Sequence, residues 1–153
     1  MSERNPTPET ARAIVDAGSF MTLATADADG LPWASPVWFA PAAYREFFWV
    51  SDPEARHSRN LAVRPQVAIV IFDSTVTPGE GQAVYMSAVA EQLEGAELEA
   101  GMRVFAERSE ARGLSVWRLD DVRAPALHRL YRATVSEHFM LRTDRDVRVA
   151  VSP

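Results

Sequence analysis

An aromatic run, a turn, a basic segment and an apolar run follow one another in FFWVSDPEARHSRNLAVRPQVAIVIFD, residues Phe47 to Asp73. The run Phe47–Val50 is typical of a β-strand, because aromatic and β-branched side chains suit a half-buried pleated surface. The apolar run Val67–Phe72 predicts a second, more deeply buried strand. A short helix ending near Val63 is predicted between them.

The segment between these strands concentrates positive charge in a chain whose net charge is -5. Ser51 or Asp52 can cap a helix and Pro53 can occupy its first turn. The residues that follow would then stand at a helix start, where free backbone N–H groups and the helix dipole favour an anion; they are Arg56, His57, Ser58 and Arg59. Arginine adds a bidentate fork that suits phosphate oxygens. The pattern indicates a phosphate site, and the alternative is a surface helix with ordinary exposed arginines.

The remaining chain favours an antiparallel β-barrel with few helices. Apolar and Thr-rich patterns with a turn at Asp29-Gly30 predict further strands at Phe20–Ala26, Leu31–Ala40, Gln82–Leu93 and Leu130–Leu141, with a short one by alternation at Asp146–Val151. A lead-in helix within residues 1–18 and a second helix over Ala96–Arg112 complete the prediction. Too few helices separate the strands for a parallel sheet, and 153 residues suit a single domain over 1–153.

The composition excludes several classes of protein. Cysteine is absent, which removes disulfides, thiolate nucleophiles and sulfur-based zinc sites. All 16 basic residues are arginine, so no Schiff-base or P-loop lysine exists. The acidic net charge argues against nucleic acid as a partner. Apolar runs are shorter than the roughly 20 residues of a membrane span and the N-terminus is polar, so we expect no membrane association and a cytoplasmic location.

No sequence motif supplies a catalytic group of its own. Neither a G-x-S-x-G pentapeptide nor an H-E-x-x-H array occurs, and His57, His128 and His138 lack metal-ligand spacing. We therefore predict no metal site and leave the catalytic residues unassigned. Redox chemistry in this chain would have to come from a bound cofactor.

The order of these segments resembles that of the flavin-binding split-barrel proteins, the family of pyridoxamine 5'-phosphate oxidase and related flavin and deazaflavin reductases. FMTLATADADGLPWASPVWF resembles the family's opening hairpin, and FFWVSDPEARHSRNLAVRPQVAIVIFD resembles its strand, phosphate-binding turn and next strand. GQAVYMSAVAEQLE continues the series and LYRATVSEHFML resembles the closing strand. The resemblance implies a mainly β (α+β) fold, a six-stranded antiparallel split β-barrel with a few short flanking helices.

The resemblance also implies a cofactor site. FMN is the expected cofactor, with a deazaflavin coenzyme as the alternative and haem as a more remote one. The turn would give its basic pair to the phosphate, with a hydroxyl just before it, and the second strand would lie along the ring. The implied cofactor-binding residues are Ser35, Pro36, Val37, Trp38, Val50, Ser51, Arg56, His57, Ser58, Arg59 and Gln82.

The chain departs from the oxidase at several of its phosphate and substrate positions. Ser35 and Ala40 stand where the oxidase has an arginine and a lysine on the second strand, and His57 replaces the lysine of the turn. A histidine with a pKa near ~6.5 loses its charge around neutral pH, so FMN binding is expected to be weak or pH-dependent. The oxidase's C-terminal substrate motif is absent, and pyridoxamine phosphate is not expected as the substrate.

The leading hypothesis is a homodimeric oxidoreductase that moves a hydride or electrons through FMN or a deazaflavin bound at the subunit interface, acting on a small molecule. The alternative is a carrier or sensor that binds flavin, deazaflavin or haem without turnover. A third reading is an empty barrel that serves as a structural or regulatory dimerisation domain.

Overall fold

The computed structural model describes residues 5–153 and contains one antiparallel sheet flanked by helices. The strands are β1 (Phe20–Ala26), β2 (Pro32–Trp38), β3 (Ala40–Ala42), β4 (Glu46–Ser51), β5 (Gln66–Phe72), β6 (Ala83–Gln92), β7 (Arg129–Leu141) and β8 (Arg148–Val151). The helices are α1 (Pro8–Ala17), α2 (Arg56–Val63) and α3 (Gly95–Ala111), with a 3₁₀ turn at Leu119–Val122. Among the described residues, no helix has the length and apolar character needed to span a bilayer.

The sheet runs in the order β2-β1-β5-β6-β7-β4-β3, with β8 beside β7, and curls into a half-barrel. The predicted α+β class and antiparallel split barrel are confirmed. The described chain has eight strands where six were predicted. The predicted strand Leu31–Ala40 ends at Trp38, and Ala40 begins β3, which pairs with β4 instead of β1. The short strand predicted at Asp146–Val151 is present as β8 and extends the sheet beyond the closing strand β7.

The alternation of buried and exposed residues along each strand fills the curled sheet with apolar side chains. On β5, Val67, Ile69 and Ile71 point inward. Trp49 on β4 is fully buried and stacks on Tyr131, with ring centroids 5.7 Å apart. The two strands predicted from the apolar runs Phe47–Val50 and Val67–Phe72 therefore both contribute side chains to the main core.

A second apolar cluster lies under α3. Leu98, Met102 and Phe105 recur at the spacing of one helical face and pack toward β4 and β7. Gly101 lies in the same face, and a Cβ there would be 2.8 Å from Cε1 of Phe48. The glycine thus lets α3 approach the sheet closely.

The predicted lead-in helix lies at residues 1–18, of which residues 1–4 are outside the described residues. Helix α1 covers Pro8–Ala17, and the Thr7 hydroxyl accepts a hydrogen bond from Thr10 N at 3.2 Å. The assignment of 1–153 to a single domain stays a prediction.

Candidate functional site

A cavity of about 340 Å³ lies where β2 and β4 approach each other without pairing. Its volume is at the lower end of the range of about 300 to 1,000 Å³ that is usual for ligand sites. Helix α3 and the segment after it close one side of the cavity. The lining residues are Pro36, Val37 and Trp38 from β2, Val50 and Ser51 from β4, His57 from α2, Phe105 and Ser109 from α3, and Leu114, Ser115 and Trp117.

The cavity brings together much of the predicted cofactor site. It is lined by the predicted residues Pro36, Val37, Trp38, Val50, Ser51 and His57, which come from three elements. The indole of Trp38 meets the ring of Phe105 edge to face, with centroids 5.1 Å apart. The walls are therefore mainly apolar and aromatic, with Ser51 and His57 at the β4–α2 end and Ser109 and Ser115 on the α3 side.

The polar end of the cavity consists of the Ser51 hydroxyl and the His57 imidazole. Ser51 Oγ and His57 Nε2 lie 2.8 Å apart and form a hydrogen bond in which either atom can donate. Burial lowers the pKa of the half-buried His57. The imidazole is therefore neutral at pH 7, and an anion that enters the cavity would favour its protonation.

The start of α2 beside this pair has free backbone donors. Ser51 and Asp52, which were predicted to cap this helix, lie before its start, because the helix begins at Arg56 and Ala55 is its N-cap residue. The Asp52 carboxylate instead accepts a hydrogen bond from Glu54 N at 2.8 Å, and Ala55 N donates to the Asp52 carbonyl at 3.0 Å. No side chain caps the helix, so its first N–H groups remain available to an anion.

The arginines of α2 lie on its exposed side. Arg56 and Arg59 are both exposed, and the guanidinium carbon of Arg56 lies 4.3 Å from the ring centroid of Trp33. Ser58 is buried beneath the helix and is outside the cavity lining. The helix thus presents two cations to solvent, and neither belongs to the cavity lining.

Two hydrogen-bonded contacts hold α2 against the β1–β2 hairpin. Asn60 is buried and donates to Thr25 Oγ1 at 3.0 Å. At the end of the helix, the Arg64 guanidinium donates to the carbonyls of Asp27 and Ala28 at 3.0 and 3.1 Å. These bonds fix the direction in which the first turn of α2 faces the cavity.

Ser35 and Gln82 lie outside the cavity lining. Ser35 is half-buried on β2, between Trp33 and Val37 on the same face of the strand. The Gln82 amide donates to Leu141 O at 2.8 Å and accepts from Leu141 N at 3.0 Å. This amide joins the start of β6 to the end of β7, and the flavin contact predicted for Gln82 stays a prediction.

Sequence reasoning missed the α3 side of the cavity. Phe105 falls within the predicted helix Ala96–Arg112 without any mark of a binding site, and Trp117 lies in a stretch without a periodic pattern. Leu114 lines the cavity with an exposed side chain, but this exposure becomes visible only in the structure.

The other two histidines serve local contacts. His128 meets Trp117 edge to face at 5.3 Å, and His138 Nε2 lies 2.6 Å from Tyr44 O. Burial lowers the pKa of His138. Across residues 5–153, no group of three His, Cys, Asp or Glu side chains is placed to hold a metal ion.

The chain matches a known protein family in sequence and several solved structures in fold. The family model described as pyridoxamine 5'-phosphate oxidase matches residues 7–141. No curated protein matches the chain in sequence. A haem-binding protein from Mycobacterium smegmatis superimposes with a TM-score of 0.71 and 24% identity over 92% of this chain, which spans only 56% of that longer protein.

Two further solved structures share the fold. The haem storage protein HutZ from Vibrio cholerae has a TM-score of 0.69 and 26% identity, over 84% of this chain and 89% of HutZ. An F420 reductase has a TM-score of 0.63 and 16% identity, over 86% of this chain and 98% of the reductase. The same fold thus occurs in proteins described as haem-binding or haem storage proteins and in one described as an F420 reductase.

Proposed function

Because the chain belongs to the pyridoxamine 5'-phosphate oxidase family, we propose that it binds FMN or a deazaflavin cofactor between β2 and β4 and acts as an oxidoreductase on a small molecule. The observation that carries this proposal is the convergence of one apolar cavity with an uncapped helix start. Val37 and Trp38 form its wall, and Ser51 and His57 stand at the end where α2 begins.

The donors at the start of α2 fit a phosphate group. Free N–H groups of the first helical turn, the Ser51 hydroxyl and the His57 imidazole can all donate to phosphate oxygens. Arg56 and Arg59 add charge from the exposed side. The site therefore has donors enough for one phosphate, even though β2 carries none of the basic residues expected there.

The apolar walls fit a planar ring. Trp38, Val37 and Phe105 offer aromatic and aliphatic surface that excludes water from such a ring. When bound, a flavin-type cofactor would supply the hydride or electron transfer, while these residues orient and desolvate it. Among the lining residues His57 is the titratable group that could move a proton, and the catalytic residues remain unassigned.

We also propose that the protein works as a homodimer with the cofactor at the interface. The outer face of β1 and β5 carries uncharged residues, namely Phe20, Thr22, Ala24, Ala68, Val70 and Phe72. Phe20 and Phe72 are 61% and 54% exposed, which is costly for aromatic side chains in water. Pro36 on the neighbouring β2 lines the cavity, so a second copy on this face would reach the cofactor site.

The dimer is tested by placing a charge on this face. Phe72→Glu should convert a dimer into a monomer in sedimentation velocity, because a buried unpaired carboxylate at an interface is strongly unfavourable. Val147→Glu makes the same kind of change at an exposed apolar residue in the β7–β8 connection and should leave the dimer intact. A wild-type protein that sediments as a monomer at all concentrations would contradict the proposal.

The cofactor is tested by titrating the purified protein with FMN, a deazaflavin cofactor and haem, followed by an assay for oxidation of the reduced cofactor. We expect saturable binding of FMN or deazaflavin and turnover with an electron acceptor. Binding of none of the three would defeat this proposal and the alternative below. The cytoplasmic location stays a prediction.

The second candidate is a haem carrier. HutZ, at 26% identity, is described as a haem storage protein, and the cavity contains an imidazole that burial keeps neutral. Neutral imidazole is the form that ligates iron, so haem coordination by His57 would be lost as the pH falls. The affinity for a phosphate group should instead rise as the pH falls, because protonated His57 attracts the anion. The pH dependence of binding therefore separates the two candidates.

A further inference from the structure

Arg56 does not extend freely from α2, because its guanidinium lies over the ring of Trp33. Its guanidinium carbon is 4.3 Å from the ring centroid of Trp33, within the distance of a cation–π contact. Trp33 is 41% exposed, and it stands near the start of β2. Trp33, an exposed residue on an edge strand, therefore contacts Arg56 of the basic segment.

This pair is linked to the cavity through β2, which supplies Pro36, Val37 and Trp38 to its lining. Because side chains alternate along a strand, Trp33 and Val37 share one face of β2, and Val37 lines the cavity. From the other side, Arg56 is followed directly by His57, which also lines the cavity. The stacked guanidinium is therefore fixed next to the polar end of the site.

Stacking leaves the guanidinium free to bind an anion. A guanidinium has five N–H donors, and Arg56 is exposed, so the donors directed away from the ring stay open to phosphate oxygens. A free arginine loses considerable side-chain entropy when it is fixed on a ligand, and an arginine already held on a ring loses less.

We propose that Trp33 is a positioning residue for the anionic group of the cofactor. It holds Arg56 at the start of α2, and through Arg56 it contributes to the preference for a phosphorylated over an unphosphorylated flavin. This inference rests on the proposed function. It concerns a residue that neither the sequence pattern nor the cavity lining marks as part of the site.

The experiment compares FMN with riboflavin, which has the same ring and no phosphate. We expect Trp33→Leu to raise the Kd for FMN roughly two- to fivefold, the range that corresponds to an exposed cation–π pair, and to leave the Kd for riboflavin unchanged. Trp33→Phe keeps a ring and should retain most of the FMN affinity. In an Arg56→Met background, Trp33→Leu should have no further effect on FMN.

Two controls separate positioning from general damage. Arg148→Met removes a second cation–π pair, in which Arg148 lies 4.3 Å from the Tyr85 ring, and should leave FMN affinity unchanged. The Nε–H proton of Arg56 should show an upfield ring-current shift in wild-type protein that is lost in Trp33→Leu. Should Trp33→Leu fail to fold, Trp33→Gln takes its place at this partly exposed strand position.

The outcomes are distinct. Unchanged FMN binding by Trp33→Leu, or equal weakening of FMN and riboflavin, overturns the role of Trp33 while the proposed function stands. Wild-type protein that binds neither FMN nor riboflavin overturns the role of Trp33, and it overturns the proposed function as well if a deazaflavin cofactor also fails to bind. A loss confined to FMN, abolished in the Arg56→Met background, supports the inference.

Discussion

Replacing His57 by lysine separates the effect of a permanent charge from that of a titrating one. Burial lowers the pKa of His57, so the wild-type imidazole is neutral at pH 8 and gains a proton only below its ordinary pKa of about 6.5. If its neighbour in the complex is a phosphate, His57→Lys should bind FMN more tightly than wild type at pH 8. The neutral variant His57→Gln serves as the reference.

The expected magnitude follows from the position of the side chain. A hydrogen bond to a charged group contributes about 1.5 to 3 kcal/mol. His57 is half-buried and already bonded to Ser51, so we take the lower figure, about 1.5 kcal/mol, which is roughly tenfold in Kd. Wild type should match His57→Gln at pH 8 and bind progressively more tightly than that variant as the pH falls below about 6.5.

The assay is a fluorescence titration with FMN at several pH values and constant salt. The second ionisation of the phosphate, with a pKa near 6, affects every variant equally, so the ratio of Kd values to that of His57→Gln cancels it. For riboflavin, which has no phosphate, the Kd of each protein should equal that of His57→Gln. A lysine variant that binds FMN no better than His57→Gln at pH 8 would refute the assignment of His57 to the phosphate.

Three further predictions concern the same elements. Arg56→Ala should weaken FMN binding by about 1.5 kcal/mol, the lower end of the range for charge-assisted hydrogen bonds because Arg56 is exposed, and an unchanged Kd would place the phosphate elsewhere. Gly101→Ala should destabilise the fold by about 1 to 3 kcal/mol in urea denaturation, since its Cβ would be 2.8 Å from Phe48; full stability would show that α3 can shift outward. Because burial lowers the pKa of His57, the unfolded chain binds more protons below about pH 6.5, so the free energy of unfolding should fall as the pH decreases through that window. His57→Gln should flatten part of this decline, and His138→Gln another part, since burial lowers the pKa of His138 as well.

The sequence was sufficient for the fold class because its strands are marked by local patterns. Val67–Phe72 and Phe47–Val50 carry runs of β-forming side chains bounded by turn residues, and both became core strands. The break between β2 and β3 at Phe39 was invisible, because Phe39 is as apolar as its neighbours. Pairing partners, rather than propensity, decide where that strand ends.

The candidate site was predictable only on the side that the family resemblance covers. Pro36, Ser51 and His57 were placed by the order of segments, whereas Trp117 and Trp33 enter through contacts between elements far apart in the chain. The predicted cap at Ser51 or Asp52 failed because Asp52 bonds to Glu54 within its own turn, which moves the helix start to Arg56. Local competition of this kind cannot be read from residue preferences alone.

The unpaired gap between β2 and β4 has a consequence for how one scaffold can serve different ring systems. Hydrogen-bonded strands are held about 4.8 Å apart, but no such bond fixes this aperture. Helix α3 contributes Phe105 and Ser109 to the lining at this gap. Exchanging these two residues would resize the opening without breaking one rung of the sheet, so chromophores of unequal bulk can be accommodated by changes on a single helix.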